Sequence, residues 1–503
     1  MNHWMPEAWE VTIGSGNASG LIDYFVSCYL NGEKLIVATD SQKFGEQLER
    51  VFAELAPDAR VFRADGKTKE SDEVREFLTK PNQVIEREKP DLLIYSPTME
   101  SGGDITSDWF DRMGFYLVNL ETRAQMQMLG RVRASIPRVG YVLDYANPDE
   151  SSKTLRPDIL KEDLRKNVDD AVKLVKLAAA LAKEENPDNP DWLTKLNEML
   201  DPKVDSPEEF WVTAGCNYQF RIKGARSEMR ENLVKALKEA GHKVTETQFS
   251  KTLEVKALRE EIKELLEEEE AAKLYEADDS KVTPEMARKI LERSGSSEKK
   301  RFQARKALLR EKLPGLDLTK DFLLEAVVQN YGHLLKGATL HWYCQHPQVV
   351  EELEKKKFIH HLKQPFVYLP KVKEIAPKVA LLRESGLFEL IGDREYRDTD
   401  EDLQKLRQWA LWNVWEIRRV LGLRMTESQT GIQVLSKLLK RVGFKLDSRR
   451  LGPRKARHRV YWISNIDDEY HQKIGEALSR RYASLLSALS SDVVSNTYSI
   501  NDL

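Results

Sequence analysis

Short apolar runs alternate with amphipathic stretches through residues 1–150 of the chain. The runs are rich in β-branched and aromatic residues, and the stretches between them repeat their apolar residues at helical spacing, as strands and helices do. The predicted strands are EVTIG, KLIVATD, RVFRAD, DLLIYSP, FYLVNL and VGYVLDY. Such alternation predicts an α/β domain over 1–150, with a parallel sheet and helices on both faces.

Beyond residue 150 the hydrophobic pattern is mainly helical, with breaks at the proline-containing segments NPDNPD and DPKVDSP. We expect a helical extension over 151–275 and a helical domain over 276–397. Residues 471–503 are expected to form a terminal helix and a disordered, Ser/Asn-rich tail.

Residues 398–470 form a separate predicted module, in which helices are followed by a β-hairpin. MTESQTGIQVLSKLLKRVG predicts a Thr-capped pair of short helices, and FKLDSRR and RVYWIS predict strands around the turn LGPRKARH. Helices followed by a basic hairpin are typical of a winged-helix-like, DNA-binding module. For Trp409, Trp412 and Trp415, we favour a role as core anchors over the alternative, a platform on which bases stack.

Charge is distributed unevenly along the chain. Residues 1–150 contain 16 Lys and Arg against 25 Asp and Glu, whereas residues 431–459 contain 10 against 1. A basic segment of this kind favours contact with nucleic-acid phosphates. The residues expected to contact DNA around the hairpin are Arg449, Arg450, Arg454, Lys455, Arg457 and Arg459.

The composition indicates a soluble protein with several domains. The chain has 503 residues, of which 41% are hydrophobic and 32% charged, and it contains no apolar run long enough to span a membrane. Three widely separated cysteines argue against a disulfide framework and against a zinc cluster. We therefore expect a cytoplasmic protein without a membrane segment or a metal site.

Two linked signatures carry the candidate chemistry, DLLIYSPTMESGGDI and, one strand and helix later, QMLGRVR. The guanidinium forks of Arg131 and Arg133, together with Gln127, are suited to bind the oxygens of a transferring phosphate. Hydroxyls of Thr39, Ser41 and Thr98 are expected to contact nucleic-acid phosphates. The loop residues expected to lie at a nucleotide are Gly102, Gly103 and Asp104.

The motifs that cradle ATP are missing from the sequence. No segment reads G-x-x-x-x-G-K-[ST], and no apolar strand ends in an Asp-Glu pair. Gly66-Lys67-Thr68 lacks the required upstream glycine and is interpreted as a surface turn. Gly14 to Gly20 has the wrong spacing for a dinucleotide turn, and a helix-entry loop is the better interpretation.

The segments KLIVATDSQKFGEQLE, DLLIYSPTMESGGDI and QMLGRVRASIPRVGYVLDY resemble motifs IV, V and VI of superfamily 2 helicases, most of all the origin-binding group that includes replication proteins of cyanobacterial plasmids. The resemblance implies a second RecA-like lobe at 1–150 that acts on DNA. It also implies that ATP and Mg²⁺ are held by a first lobe, which a separate chain with a primase-like region would supply. Arg133 lies two residues after Arg131, so either arginine is a candidate for the finger.

Three functions remain open from the sequence. The first is the C-terminal portion of a plasmid replication helicase, which completes an ATPase only in trans. The second is a noncatalytic DNA-binding replication or partition factor with a relic lobe. The third, which the sequence favours least, is a nucleotide-binding enzyme that uses Gly14 to Gly20.

Overall fold

The computed structural model describes residues 8–15, 18–97, 103–144, 228–250, 252–293, 296–362, 374–451 and 458–487. These residues divide into two compact units. The sheet unit contains residues 8–144, 228–273 and 288–303, and the helical unit contains residues 274–287 and 304–487.

The sheet unit is an α/β domain, as the alternating pattern predicts. Its strands are β1 (Glu10–Ser15), β2 (Leu35–Thr39), β3 (Val61–Ala64), β4 (Leu92–Tyr95), β5 (Arg112–Leu117), β6 (Arg138–Val142) and β7 (Lys243–Gln248). The helices between them are α1 (Ala18–Leu30), α2 (Gln42–Leu55), α3 (Asp72–Thr79), α4 (Pro81–Glu88), α5 (Thr122–Gly130) and α6 (Met229–Glu239). All six strands predicted from the sequence are confirmed.

The strands form one parallel sheet in the order β3-β4-β2-β5-β6-β1-β7. The chain moves in one direction along the sheet from β1 through β2 to β3, and in the other direction from β3 to β7. Because parallel crossovers are right-handed, α1 and α2 belong on one face and α3 to α6 on the other. Two buried clusters agree with this, one formed around Phe25 and Phe52 and the other around Phe77 and Leu129.

Strand β7 differs from the purely helical extension that we expected over 151–275. Its sequence, KVTETQ, has polar residues at nearly every position and leaves most of them exposed at the sheet edge. Register with β1 is continuous from Glu10↔Lys243 to Ser15↔Gln248. A polar edge strand has no alternating apolar signal, which is why the sequence pattern did not predict it.

The long helix α7 (Leu253–Glu276) follows β7 and has a strongly acidic sequence. Its residues Val255 and Ile262 are buried in the cluster that contains α1 and α2. The next helices are α8 (Pro284–Glu292) and α9 (Glu298–Lys312).

The helical unit continues with short turns and helices. These are the helical turns Lys320–Phe322, Leu323–Val328, Gln329–Tyr331 and Leu387–Leu390, and α10 (His333–Gln345), α11 (Pro347–Leu362), α12 (Ala376–Glu384), α13 (Glu401–Trp412), α14 (Val414–Leu421), α15 (Gly431–Arg441) and α16 (Glu469–Arg481). In the described ranges, no helix combines the length and apolar character needed to cross a bilayer.

The predicted hairpin is confirmed within the helical unit. Strand β8 (Leu446–Leu451) pairs antiparallel with β9 (His458–Ile463), and Tyr396 adds a single bridge to Tyr461. The preceding segment forms one helix, α15, where we expected two. Thr430 and Gln433 form a complete capping box that fixes its start.

The tryptophans of α13 and α14 differ in burial. Trp409 is partly buried against the main apolar cluster of the helical unit, so the core-anchor prediction is confirmed there. Trp412 and Trp415 are each 77% exposed, and the prediction is wrong for both. Helical spacing alone does not decide which face of a helix its neighbours cover. The expected tail over 488–503 lies outside the described residues.

A histidine pair in the helical unit predicts sensitivity to acid. His341 Nδ1 lies 2.9 Å from His471 Nε2, and burial lowers the pKa of both imidazoles to about 4. Since an unfolded histidine has a pKa of about 6.5, the unfolded chain binds more protons between these values. Stability should therefore fall as the pH decreases from about 6.5 towards about 4, by up to about 2.7 kcal/mol per pH unit for two protons. Urea unfolding measured across this range should show a flatter profile for His341→Gln/His471→Gln, and equal slopes in the two proteins would contradict the assignment.

Candidate functional site

The two candidate signatures meet in the structure. Ile105 N donates to Arg131 O at 2.8 Å, and Arg133 N donates to Ile105 O at 2.8 Å. The loop after β4 and the turn after α5 are thereby joined as a short parallel bridge between Ile105 and Val132. This pairing brings Asp104 beside both arginines.

Asp104 lies between the two guanidinium groups. Arg133 Nη2 is 2.8 Å from Asp104 Oδ2, and Arg131 Nη1 is 3.8 Å from Asp104 Oδ1. The side chains of Arg131, Arg133 and Asp104 are 24%, 33% and 40% exposed, so the cluster is accessible to solvent. Each guanidinium is a rigid cationic fork whose paired N–H groups match the spacing of phosphate oxygens.

Gln127 lies close to the same cluster. With Arg131 it lines a small pocket that is also lined by the end of β4, Tyr95 to Pro97. Tyr95 is buried and its hydroxyl donates to Met128 O at 2.8 Å, which holds α5 against that strand. The structure thus brings Gln127, Arg131, Arg133 and Asp104 together, as the linked motifs predict.

Asn82, at the start of α4, fixes the loop that carries Asp104. Its Nδ2 donates to Asp104 O at 3.1 Å, and its Oδ1 accepts from Thr106 N at 2.8 Å and Ser107 N at 3.1 Å. The sequence analysis did not identify Asn82, because a lone asparagine after proline gives no signal for a contact more than twenty residues away in the chain.

Arg138 fixes the turn that carries the two arginines. Its guanidinium is fully buried and donates to Val132 O at 2.8 Å, Ile136 O at 3.0 Å and Ala134 O at 3.4 Å. The ring of Trp9 lies 3.9 Å from the guanidinium carbon. Among the described residues no carboxylate pairs with Arg138, so burial lowers its pKa to about 10. Arg138 also escaped the sequence analysis, because it occupies the first position of a strand that is otherwise apolar.

Residues 228–248 also help to hold Arg138 in place, through His242 and Trp9. His242 stacks on Trp9 with ring centroids 4.1 Å apart, and its Nδ1 accepts from Trp9 N at 3.2 Å. Burial, with the nearby charge of Arg138, lowers the pKa of His242. A neutral imidazole is required for this contact, since Nδ1 must accept.

Thr39 and Ser41 lie directly after β2, as expected, but both hydroxyls are engaged within the protein. Thr39 is 2% exposed, and its Oγ1 donates to Tyr116 O at 2.9 Å and accepts from Ser41 N at 3.1 Å. Ser41 is the N-cap of α2 and accepts from Phe44 N at 3.3 Å. Their proposed contact with a nucleic-acid phosphate stays a prediction that would require rearrangement.

Asp40 occupies the crevice where the sheet changes direction, between β2 and β5. Its carboxylate accepts from the backbone N–H groups of Val118, Asn119 and Leu120, each at 2.8 Å. Burial raises the pKa of Asp40, while the three donors oppose that rise. These bonds fill the point at which an open α/β sheet most often binds a ligand.

The two glycine-containing segments that the sequence analysis rejected as nucleotide-binding motifs, Gly14 to Gly20 and Gly66-Lys67-Thr68, have structural roles. A Cβ at Gly14 would lie 1.8 Å from the Phe249 ring, and one at Gly20 would lie 2.9 Å from Phe249 Cβ, so the glycines accommodate this side chain rather than a dinucleotide. Lys67 is in the predicted surface turn, where its amine pairs with Glu46 and its N–H bonds to Asp65 Oδ1.

The hairpin arginines are not equivalent. Arg449 pairs with Glu395 at 2.5 Å. Arg450 and Arg459 stand directly opposite each other in the register of β8 and β9, and both are exposed. Like charges in opposite positions destabilise a ribbon unless an anion offsets them. Arg454, Lys455 and Arg457 at the tip lie outside the described residues, as do Thr98 and Gly102 in the loop after β4.

Comparison with models of known protein families finds no match to this chain, and comparison with curated proteins finds no similar sequence. The described residues contain no group of three or more histidine, cysteine or acidic side chains arranged to hold a metal ion. A function for the chain must therefore be argued from its own geometry.

Asn82→Ala should destabilise the loop that positions Asp104. The substitution removes three hydrogen bonds and leaves two N–H groups without their acceptor, at a cost of about 1 to 3 kcal/mol in the free energy of unfolding. Amide exchange at Thr106 and Ser107 should accelerate. The matched control is Asn119→Ala, which removes one long side-chain bond and should cost less than about 1 kcal/mol. Equal exchange rates at residues 106 and 107 in the wild type and N82A would contradict this role.

Proposed function

We propose that this chain is the C-terminal portion of a plasmid replication helicase of superfamily 2. Its sheet unit acts as a second RecA-like lobe, and its C-terminal winged-helix-like module binds DNA. The lobe supplies arginines to ATP that a first lobe holds, and this sequence does not contain the phosphate-cradle motifs of such a first lobe.

The observation that carries the proposal is the convergence of the two signatures. Arg131 and Arg133 project from one turn, Asp104 from another, and two backbone hydrogen bonds lock these turns together. Phosphoryl transfer needs cationic forks that are held in place before the reaction, because charge on the equatorial oxygens must be stabilised without reorganisation. The parallel sheet with helices on both faces is the architecture that such a lobe requires.

The donor set of the sheet unit fits part of a nucleotide site. Arg131, Arg133 and Gln127 are suited to the outer oxygens of a triphosphate, whereas magnesium ligands must come from the other lobe. ATP would supply the phosphoanhydride bond when it is bound there. Asp104, in this proposal, orients both guanidinium groups until the phosphate approaches, and Asn82 and Arg138 keep the two turns in place.

The hairpin supports a role in DNA binding. Arg450 and Arg459 concentrate charge on one face of a two-stranded ribbon, and within the described part of the chain neither has an acidic partner. Each phosphate that such a residue neutralises releases counterions, so binding should weaken steeply with salt.

A second candidate function is a noncatalytic DNA-binding replication or partition factor whose lobe is a relic. This alternative is favoured because Arg450 and Arg459 lie in the helical unit. Their contact with DNA needs no contribution from Arg131 and Arg133 of the sheet unit. The two candidates differ in whether Arg131 and Arg133 affect ATP turnover.

The ATPase prediction separates these candidates. The isolated chain should not hydrolyse ATP, with or without DNA. With a separately expressed first lobe, Arg131→Ala or Arg133→Ala should reduce DNA-stimulated turnover by a factor of order 10³. Lys67→Ala is the control and should have no effect, because this lysine pairs with Glu46. If the mixture hydrolyses ATP and neither arginine substitution changes the rate, the cluster has no part in the mechanism. That result would favour the noncatalytic factor.

Duplex DNA binding should depend on unpaired rather than paired arginines. Arg450→Ala/Arg459→Ala should lower the magnitude of the log–log salt slope by about 1.8, which is about 0.9 for each lost phosphate contact. Arg449→Ala is the matched control on the same strand. It should change the slope less, since Glu395 already offsets the charge of Arg449. Fluorescence anisotropy between about 50 and 200 mM salt measures these slopes, and equal slopes for all three proteins would exclude this surface.

A further inference from the structure

The amine of Lys312 is partly buried beside two other cations. Lys312 is the last residue of α9, and the charges that act on its amine are those of Arg481 and Lys336. Burial, together with these two positive charges, lowers the pKa of the amine to about 8, so it stays mainly protonated at neutral pH. Within the described part of the chain, none of the three side chains forms an ion pair.

Tertiary contacts hold together the helices that carry these cations. Arg480 Nε donates to Pro314 O at 3.0 Å, which fixes the chain two residues beyond Lys312 against the last turn of α16. Trp342 Nε1 of α10 donates to Ser479 Oγ at 3.0 Å, in the same turn of α16. The end of α9, the end of α16 and the helix of Lys336 are therefore joined within the helical unit.

Helix dipoles explain only part of this arrangement. Lys312 and Arg481 end α9 and α16, where the free carbonyls of a helix stabilise a cation. Lys336 is the fourth residue of α10 and lies in its first turn, where the dipole disfavours a cation. Repulsion among three like charges, one of them partly removed from water, acts against the fold unless an anion offsets it.

The number of cations indicates the class of anion. A carboxylate carries one negative charge, and so does each internal phosphate of a DNA strand. A terminal phosphate carries about 1.5 to 2 negative charges at neutral pH and three acceptor oxygens. Lysine and arginine bind such a group through charge-assisted hydrogen bonds, which are stronger where the donor is shielded from water.

We propose that Lys312, Lys336 and Arg481 form a binding site for a terminal phosphate group. Such a group occurs in free phosphate and nucleotides, and at the 5′ end of a phosphorylated DNA strand. The site lies in the helical unit and uses none of the residues assigned above to ATP turnover or to duplex DNA. Its failure and the failure of the proposed function can therefore be observed separately.

Calorimetric titration of the full chain with inorganic phosphate and with pyrophosphate, in a buffer that contains neither, tests the site. Lys312→Met and Arg481→Met should each weaken binding by about tenfold or more, because each removes a charge-assisted hydrogen bond. Lys473→Met is the matched control on the same helix as Arg481. Its charge is already offset by Glu469 at 2.5 Å, so affinity should change by less than about twofold.

Acetylation of Lys312, followed by mass spectrometry, gives a second readout. Without phosphate, the rate should follow a pH profile with a midpoint of about 8, below the value of about 10.4 for an ordinary lysine. Bound phosphate should move this midpoint upward, because a nearby anion favours the protonated amine. Lys312→Met should not lower the melting temperature of the phosphate-free protein, whereas the loss of a structural ion pair would lower it.

Oligothymidylates with a 5′-phosphate and with a 5′-hydroxyl distinguish the two sources of the phosphate. A preference for the phosphorylated strand that Lys312→Met abolishes would assign the site to a DNA end. Equal binding of the two strands, with phosphate binding intact, would assign it to a free phosphate or nucleotide. The proposal is wrong if the wild type binds neither inorganic probe at millimolar concentration and shows no preference between the strands. Affinities that Lys312→Met leaves unchanged would also overturn it.

Discussion

The position of the arginine cluster depends on a buried guanidinium. Arg138 satisfies three backbone carbonyls of the turn that follows Arg131, and its charge rests on the face of Trp9 rather than on a carboxylate. Removing such a group leaves buried carbonyls without donors, which is costly in an apolar interior. The constraint extends to His242, which stacks on Trp9 directly before the strand that pairs with β1 and so adds to the attachment of this distant segment to the sheet unit.

The second half of the cluster is held in a comparable way. Asn82 satisfies one carbonyl and two N–H groups of the loop that carries Asp104, and the bridge between Ile105 and Val132 joins that loop to the arginine turn. The charged groups of the cluster are therefore partly exposed and held in place, and the side chains of Asn82 and Arg138 support them through several hydrogen bonds to the backbone of the two turns. This division is expected for a site that must present charge without reorganising.

Sequence patterns predicted the sheet and the members of the cluster, but not their support. Alternating apolar runs identified β1 to β6, and motif spacing selected Gln127, Arg131, Arg133 and Asp104. Strand β7 escaped detection because a polar edge strand carries no alternating apolar signal. Asn82 and Arg138 act through contacts with backbone atoms distant in the chain, and the exposure of Trp412 depends on packing that periodicity does not specify.

The central claim is that the turn of Arg131 and Arg133 and the loop of Asp104 meet a nucleotide held by another lobe. Hydrogen-exchange mass spectrometry tests it most directly, on the full chain with a lobe that carries the missing phosphate-cradle motifs and a non-hydrolysable ATP analogue. Exchange at residues 103–107 and 131–137 should slow by about tenfold only when lobe and analogue are both present, as expected when a contact lowers local opening. Unchanged exchange in both segments, with the two chains demonstrably associated, would contradict the claim.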